Sequence, residues 1–144
     1  GIWARKILIG RRLQDGEFNF ELRDSKGALL QTVQNDADGN ISFSAIEYDQ
    51  DDIGQTYTYF VNEVIPSPRE KEMSYDIKVL SFSVKVTDAG NGKLNVLYLE
   101  NQKGSRFINT FTPNSEFDVP FTPFDDMKLS GSGITSINVG DCYE

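Results

Sequence analysis

Clusters of Gly, Asn and Asp punctuate this chain, and the runs between them alternate apolar and polar residues with a period of two. The clusters are Gln14-Asp15-Gly16, Asp24-Ser25-Lys26-Gly27, residues 35–40 (NDADGN), residues 88–93 (DAGNGK) and Asn101-Gln102-Lys103-Gly104. Gly accepts positive φ, and Asn and Asp tolerate the left-handed region, so these are turn residues. Between them, Phe18, Phe20 and Leu22 alternate with Glu17, Asn19 and Glu21. Ile41 and Phe43 alternate with Ser42 and Ser44; Phe82, Val84 and Val86 with Ser83, Lys85 and Thr87; and Leu94, Val96 and Tyr98 form a further row. Such rows are half-buried strands. No segment carries an amphipathic helix of three turns, and residues 49–54 are expected to form at most one helical turn. Many short strands with frequent turns predict an all-β sandwich or barrel.

The texture changes after Thr112. Pro113, Pro120 and Pro123 fall close together, interleaved with Phe117, Val119, Phe121 and Phe124, and Ser130-Gly131-Ser132-Gly133 has linker composition. The reading is a body over 1–112 and a tail over 113–144: a linker, a packed extension or partly engineered sequence. One further strand is expected over 134–139. Gly1-Ile2-Trp3 reads as a cut from a longer parent.

Composition narrows the chemistry. Lys and Arg total 14 against 22 Asp and Glu, a net charge of −8, which argues against nucleic acid or an anionic membrane as partner. There is no His, which removes imidazole catalysis and the commonest zinc ligand. The single Cys, Cys142, allows no intrachain disulfide and no Cys-cluster metal site. No apolar run approaches the roughly 20 residues of a membrane helix. No cofactor and no metal site is expected.

Three positions break the alternation by placing a polar group in an apolar row. Glu63 follows Tyr57, Tyr59 and Val61; Asn109 lies between Phe107 and Phe111; Lys6 shares a face with Leu8, although Ile7 and Ile9 make the opposite face equally apolar. A buried carboxylate, amine or amide costs several kcal/mol unless paired. One of each, on the first, a middle and the last strand of the body, points to one shared site. Burial pushes a Lys amine toward its neutral, nucleophilic form and a Glu toward its protonated form. The amine can then attack the Asn side-chain carbonyl while the Glu hydrogen-bonds that carbonyl and relays protons to departing ammonia. The product is a Lys–Asn isopeptide bond. The same alternation is equally met by a buried Lys–Glu salt bridge beside a hydrogen-bonded Asn.

The strings KILIGRRL at 6–13 and GEFNFEL at 16–22 resemble the opening of the streptococcal pilin isopeptide-linkage domain. This is the FctA type of Gram-positive major pilin and adhesin domain, related to CnaB-like sandwiches. The resemblance continues through NDADGNISF (35–43), Asp52-Ile53-Gly54, YTYFVNE (57–63), Tyr75-Asp76, VKVTD (84–88) and FINTF (107–111). It spans about residues 4–112, in order. It implies an antiparallel β-sandwich of Ig-like, CnaB-related type, with Lys6 as nucleophile, Asn109 as electrophile and Glu63 as proton shuttle. It further implies an extracellular, cell-wall structural module whose partners are neighbouring domains of one pilus or surface protein. The isolated domain is expected to be a monomer. No sortase sorting signal or pilin lysine motif is visible, so a stalk repeat fits as well as a pilus subunit.

Other features carry less. Asp36, Asp38 and Asn40 resemble part of a calcium loop, but Glu47 falls where strand pattern has resumed, which leaves a hairpin turn. Asp49, Asp51 and Asp52 read as a solvated acidic loop, Cys142 as a free thiol, Trp3 as packing or a strand-edge aromatic, and Arg11 and Arg12 as surface residues. A ligand-binding adhesin head, recognising host protein or glycan, is the alternative function. Its candidate surfaces are residues 65–73 and 117–124. A multiple-turnover enzyme is third, reduced to carboxylate-only chemistry such as glycoside hydrolysis. The expected reaction is instead a single intramolecular turnover.

Overall fold

The computed structural model describes residues 1–99 and 105–113, and the backbone of 131–132 and 134–135. Gly1–Thr112 form one compact unit whose regular structure, among the described residues, is β-strand apart from one 3-10 turn. One sheet contains β1 (Trp3–Ile9), β4 (Asn40–Ser42), β6 (Met73–Ser74) and β9 (Arg106–Phe111), in the order β4-β1-β9-β6. The other contains β2 (Asn19–Arg23), β3 (Leu29–Gln34), β5 (Thr56–Glu63), β7 (Val79–Gly90) and β8 (Lys93–Tyr98), in the order β3-β2-β5-β7-β8. Beyond Thr112, β10 (Gly131–Ser132) and β11 (Ile134–Thr135) pair antiparallel. The rest of the strand expected over 134–139, the Phe117–Phe124 run and Cys142 lie outside the described residues.

The rows of Phe18, Phe20 and Leu22, of Ile41 and Phe43, and of Phe82, Val84 and Val86 face inward as the alternation predicts, whereas Tyr98, expected to continue the row of Leu94 and Val96, is exposed. Phe20, Leu22, Tyr59, Val61, Leu80, Phe82 and Val84 from one sheet meet Ile2, Ala4, Ile41, Phe43, Met73 and Phe107 from the other in one core. The rings of Phe20 and Phe107 tilt against each other at 5.4 Å between the sheets. Each Leu, Ile, Val, Met or Phe side chain in this core contributes about 1.5–3 kcal/mol through removal from water. The ambiguity in β1 resolves cleanly: Ile2, Ala4 and Lys6 are buried, whereas Ile9 is 52% exposed. Trp3 is 45% exposed on the outer face of the same strand.

Two features depart from a plain antiparallel sandwich. β1 and β9 pair in parallel, with Lys6 opposite Phe107 and Leu8 opposite Asn109. A parallel pair needs a long crossover, and here the entire body between the first and last strands supplies it. The 35–40 segment is also not the hairpin expected, because β3 and β4 lie in different sheets. It is a corner that carries the chain across the sandwich. Asp36 organises it, its carboxylate accepting from the main-chain N–H groups of Asp38 and Asn40 (2.9 and 2.8 Å) and from Asn40 Nδ2 (3.0 Å). The helical turn expected within 49–54 is a 3-10 turn, Gln50–Asp52, closed by a capping box between Asp49 and Asp52.

Candidate functional site

Lys6, Glu63 and Asn109 arrive at one point from three strands. β1 and β9 are neighbours, so Lys6 and Asn109 project inward from adjacent strands two positions apart in register. Glu63 ends β5, the central strand of the opposite sheet, and its row Tyr59, Val61, Glu63 faces them. Lys6 Nζ lies 2.6 Å from Glu63 Oε1, with both side chains inaccessible to water. Asn109 Nδ2 donates to Glu63 Oε2 at 2.7 Å. One carboxylate therefore holds the amine on one oxygen and the amide on the other. The Phe18 ring lies 4.5 Å from Lys6 Nζ and helps wall the site.

Burial dominates the electrostatics. Desolvation lowers the Lys6 pKa below the usual lysine range, opposed by the hydrogen bond and charge of Glu63. Desolvation likewise raises the Glu63 pKa, opposed by Lys6 and by the Asn109 hydrogen bond. Both shifts favour moving one proton from Nζ to the carboxylate. The pair then becomes a neutral amine and a neutral acid, which an apolar interior tolerates far better than two ions.

The amide orientation differs from the sequence expectation that Glu63 bonds the Asn109 carbonyl. Asn109 Oδ1 instead accepts the main-chain N–H of Asp76 at 2.9 Å. A peptide N–H can only donate, so it selects the carbonyl oxygen and turns Nδ2 toward Glu63. The Asp76 carboxylate in turn accepts from Ile108 N–H at 2.8 Å and from Lys78 N–H at 3.0 Å. Burial raises its pKa, but these donors and the Lys78 charge outweigh that and leave it below the usual aspartate value. β6 pairs with β9 only through Met73–Phe111 and Ser74–Thr110, so Asp76 takes over where the ladder stops. Alternation cannot find such a residue, because it comes just after a two-residue strand. Its only sequence signal is the Tyr75-Asp76 pair.

Glycines hold β1 in place. Gly39, at φ +92°, receives Lys6 N–H on its carbonyl at 2.6 Å, and a Cβ there would lie 2.3 Å from the Lys6 carbonyl oxygen. Gly10, at φ +102°, abuts Phe111, where a Cβ would come within 2.0 Å of the carbonyl oxygen. A second buried amide, Asn35, is structural: it accepts Phe18 N–H at 2.8 Å and donates to the carbonyls of Gln14 and Asp36. Arg11 lies outside the site, paired with Glu17 at 2.6 Å and resting over the Phe111 ring. Residues 65–73 border an open cleft lined by Phe18, Val64, Pro66, Pro68 and Tyr75.

The sequence profile of the FctA family, described as the Spy0128-like isopeptide containing domain, matches residues 2–112. The chain belongs to this family. Among solved structures it is similar to the major pilin protein (T-13) from Streptococcus pyogenes, with 20% identity and a TM-score of 0.40. That match covers 76% of this chain and 51% of the pilin, so the chain spans about half the pilin's length. No curated protein matches the chain. By family, then, the chain is a Spy0128-like isopeptide containing domain, with Lys6, Glu63 and Asn109 gathered in its core.

Proposed function

We propose that this FctA-type domain is a force-transmitting module of a Gram-positive pilus or adhesin stalk, crosslinked by an isopeptide bond between Lys6 and Asn109. The observation that carries this reading is the shared carboxylate: Glu63 contacts Lys6 Nζ at 2.6 Å and Asn109 Nδ2 at 2.7 Å, sealed from water. A structural ion pair needs only the first contact.

Glu63 takes a proton from Lys6 Nζ. The freed lone pair attacks Asn109 Cγ, forming the N–C bond and placing negative charge on Oδ1. Glu63 passes its proton to Nδ2, the C–Nδ2 bond breaks and ammonia leaves. Glu63 then removes the surplus proton from the new amide nitrogen. The atoms balance as amine plus primary amide giving secondary amide plus ammonia. Holding both groups on one carboxylate supplies the proximity that such an intramolecular step needs. The reaction occurs once per molecule, so the domain is not a turnover enzyme.

The bond would join the first strand to the last, so tension entering at residue 6 leaves at residue 109 without passing through the chain between. An extracellular setting fits a clamp that requires no redox chemistry. Intact-mass measurement tests the reading. The wild type is expected to be lighter than its sequence by one ammonia, and Lys6→Ala, Glu63→Ala and Asn109→Ala are each expected at full mass. A folded wild type at full mass overturns it.

A further inference from the structure

Glu63 by itself does not determine which end of the Asn109 amide faces it. While ionised it accepts from Nδ2. Once it holds the Lys6 proton it can donate to Oδ1 just as well, and a turned amide would point the leaving nitrogen away from its proton source. Something that only donates must hold the oxygen throughout. The Asp76 main-chain N–H, 2.9 Å from Oδ1, is such a group.

Resting on the crosslinking reaction proposed above, we infer that Asp76 completes the reactive site in two ways. Its main-chain N–H is the oxyanion donor for Asn109 Oδ1, and its carboxylate is the positioning group that keeps the N–H there. The N–H polarises the carbonyl before attack and meets the charge that develops on Oδ1 when Lys6 Nζ adds to Cγ. Charge stabilisation of this kind is strongest in a buried, pre-arranged setting.

The carboxylate holds the segment by three contacts. It accepts Ile108 N–H at 2.8 Å, one residue before Asn109; it accepts Lys78 N–H at 3.0 Å, which closes the local turn; and it lies 3.5 Å from Lys78 Nζ. Lys78 Nζ also donates to the Arg106 carbonyl at 2.6 Å, tying the same segment to the start of β9. The donor and the electrophile are therefore fixed to one strand, and they move together.

The test tracks ammonia loss with time, by intact mass, in full-length chain made by cell-free synthesis. Exchanging the residue 75–76 amide for an ester, with the Asp side chain retained, replaces the N–H by an oxygen that cannot donate. Bond formation is expected to slow by about 100-fold, the usual effect of losing one oxyanion donor. Asp76→Ala keeps the N–H but frees the segment, and is expected to slow the reaction less. Asp76→Asn, which still accepts Ile108 N–H, is expected to restore much of the rate, a recovery that mere loss of stability does not produce. Each change is also placed in the Asn109→Ala background, where a normal circular-dichroism melt establishes that the chain folds. If the ester chain crosslinks at the wild-type rate, the oxyanion role is wrong while the crosslinking reading stands. If Asp76→Ala does so, the positioning role is wrong. If the wild type never loses ammonia, the crosslinking reading itself fails.

Discussion

Two carboxylates in this domain each meet an asparagine amide, at opposite extremes of environment. In the corner between the sheets, Asp36 accepts Asn40 Nδ2 at 3.0 Å; in the core, Glu63 accepts Asn109 Nδ2 at 2.7 Å. Asp36 is also bonded by the N–H groups of Asp38 and Asn40, and its pKa falls, chiefly through the Asn40 side-chain and main-chain bonds. Every donor around it favours the ion, and the turn is stabilised by that charge. Glu63 has an amine for its other neighbour and no water, and desolvation pushes its pKa the other way. The same pairing of a carboxylate with an asparagine amide thus makes an inert turn where solvent and main-chain donors stabilise charge. It becomes a candidate for covalent chemistry where burial penalises charge and a proton can move to a partner.

The largest expected difference between the two sites comes from Glu63→Ala. It should abolish ammonia loss and release a crosslinked loop of about 100 residues, which in the disulfide analogy restricts the unfolded chain by roughly 4–5 kcal/mol. For a domain of this size that is a fall in Tm of about 20 °C in a thermal melt. In single-molecule pulling from the ends of the body, the wild type should barely extend and Glu63→Ala should unfold to nearly its contour length. Equal extension would remove the distinction between the core site and the corner.

The next contrast is in pH dependence, measured by denaturant unfolding. In Glu63→Gln, Lys6 is left buried without its acid and its folded pKa lies below the unfolded value of about 10.4. Above about pH 10.4 neither state is protonated. As the pH falls below that, only the unfolded chain gains a proton, so stability should drop, by up to about 1.4 kcal/mol per pH unit. Lys6→Met leaves Glu63 with a raised folded pKa. Its stability should be full below about pH 4.3 and fall as rising pH ionises only the unfolded chain. Asn109→Ala retains the pair, whose one shared proton matches the count in the unfolded state, so its profile should stay flat between about pH 4.3 and 10.4. A sloping profile there would mean that the buried pair does not keep one proton between its two groups.

Gly39→Ala should have a smaller effect that links corner and core. The new Cβ meets the Lys6 carbonyl oxygen at a backbone angle that L residues avoid. A cost of about 1–3 kcal/mol is expected in chemical denaturation, with slower ammonia loss because β1 is displaced at Lys6. Asp36→Ala should change least: a small fall in Tm, with ammonia loss intact. If Asp36→Ala instead blocks the crosslink, the corner belongs to the reactive site.

Much of this architecture can be read from local order. A two-residue period sorts the residues of an alternating strand into two faces, so Tyr59, Val61 and Glu63, or Phe107 and Asn109, can be placed together without knowing what lies opposite. The turn clusters mark where strands end, for the same local reason. The strings shared with FctA domains draw on that information too, and they name the three polar residues that the alternation isolates. In β1, where Ile7 and Leu8 are equally apolar, the local rule fails, and burial against the second sheet alone decides that Lys6 faces inward.

Other features depend on partners far away in the chain. Nothing in residues 3–9 or 106–111 specifies that β1 and β9 lie side by side in parallel; that is set by the path of the whole body between them. Nothing in residues 35–40 distinguishes a hairpin from a corner, because the turn chemistry is identical and only the destination of β4 differs. Asp76 is invisible to periodicity, since its importance lies in reaching Ile108 and Asn109 across a ladder that has already ended. Periodicity is a property of neighbours along the chain. The meeting of an amine, an acid, an amide and a main-chain donor is a property of the closed sandwich, in which burial raises the cost of leaving any of them unpaired.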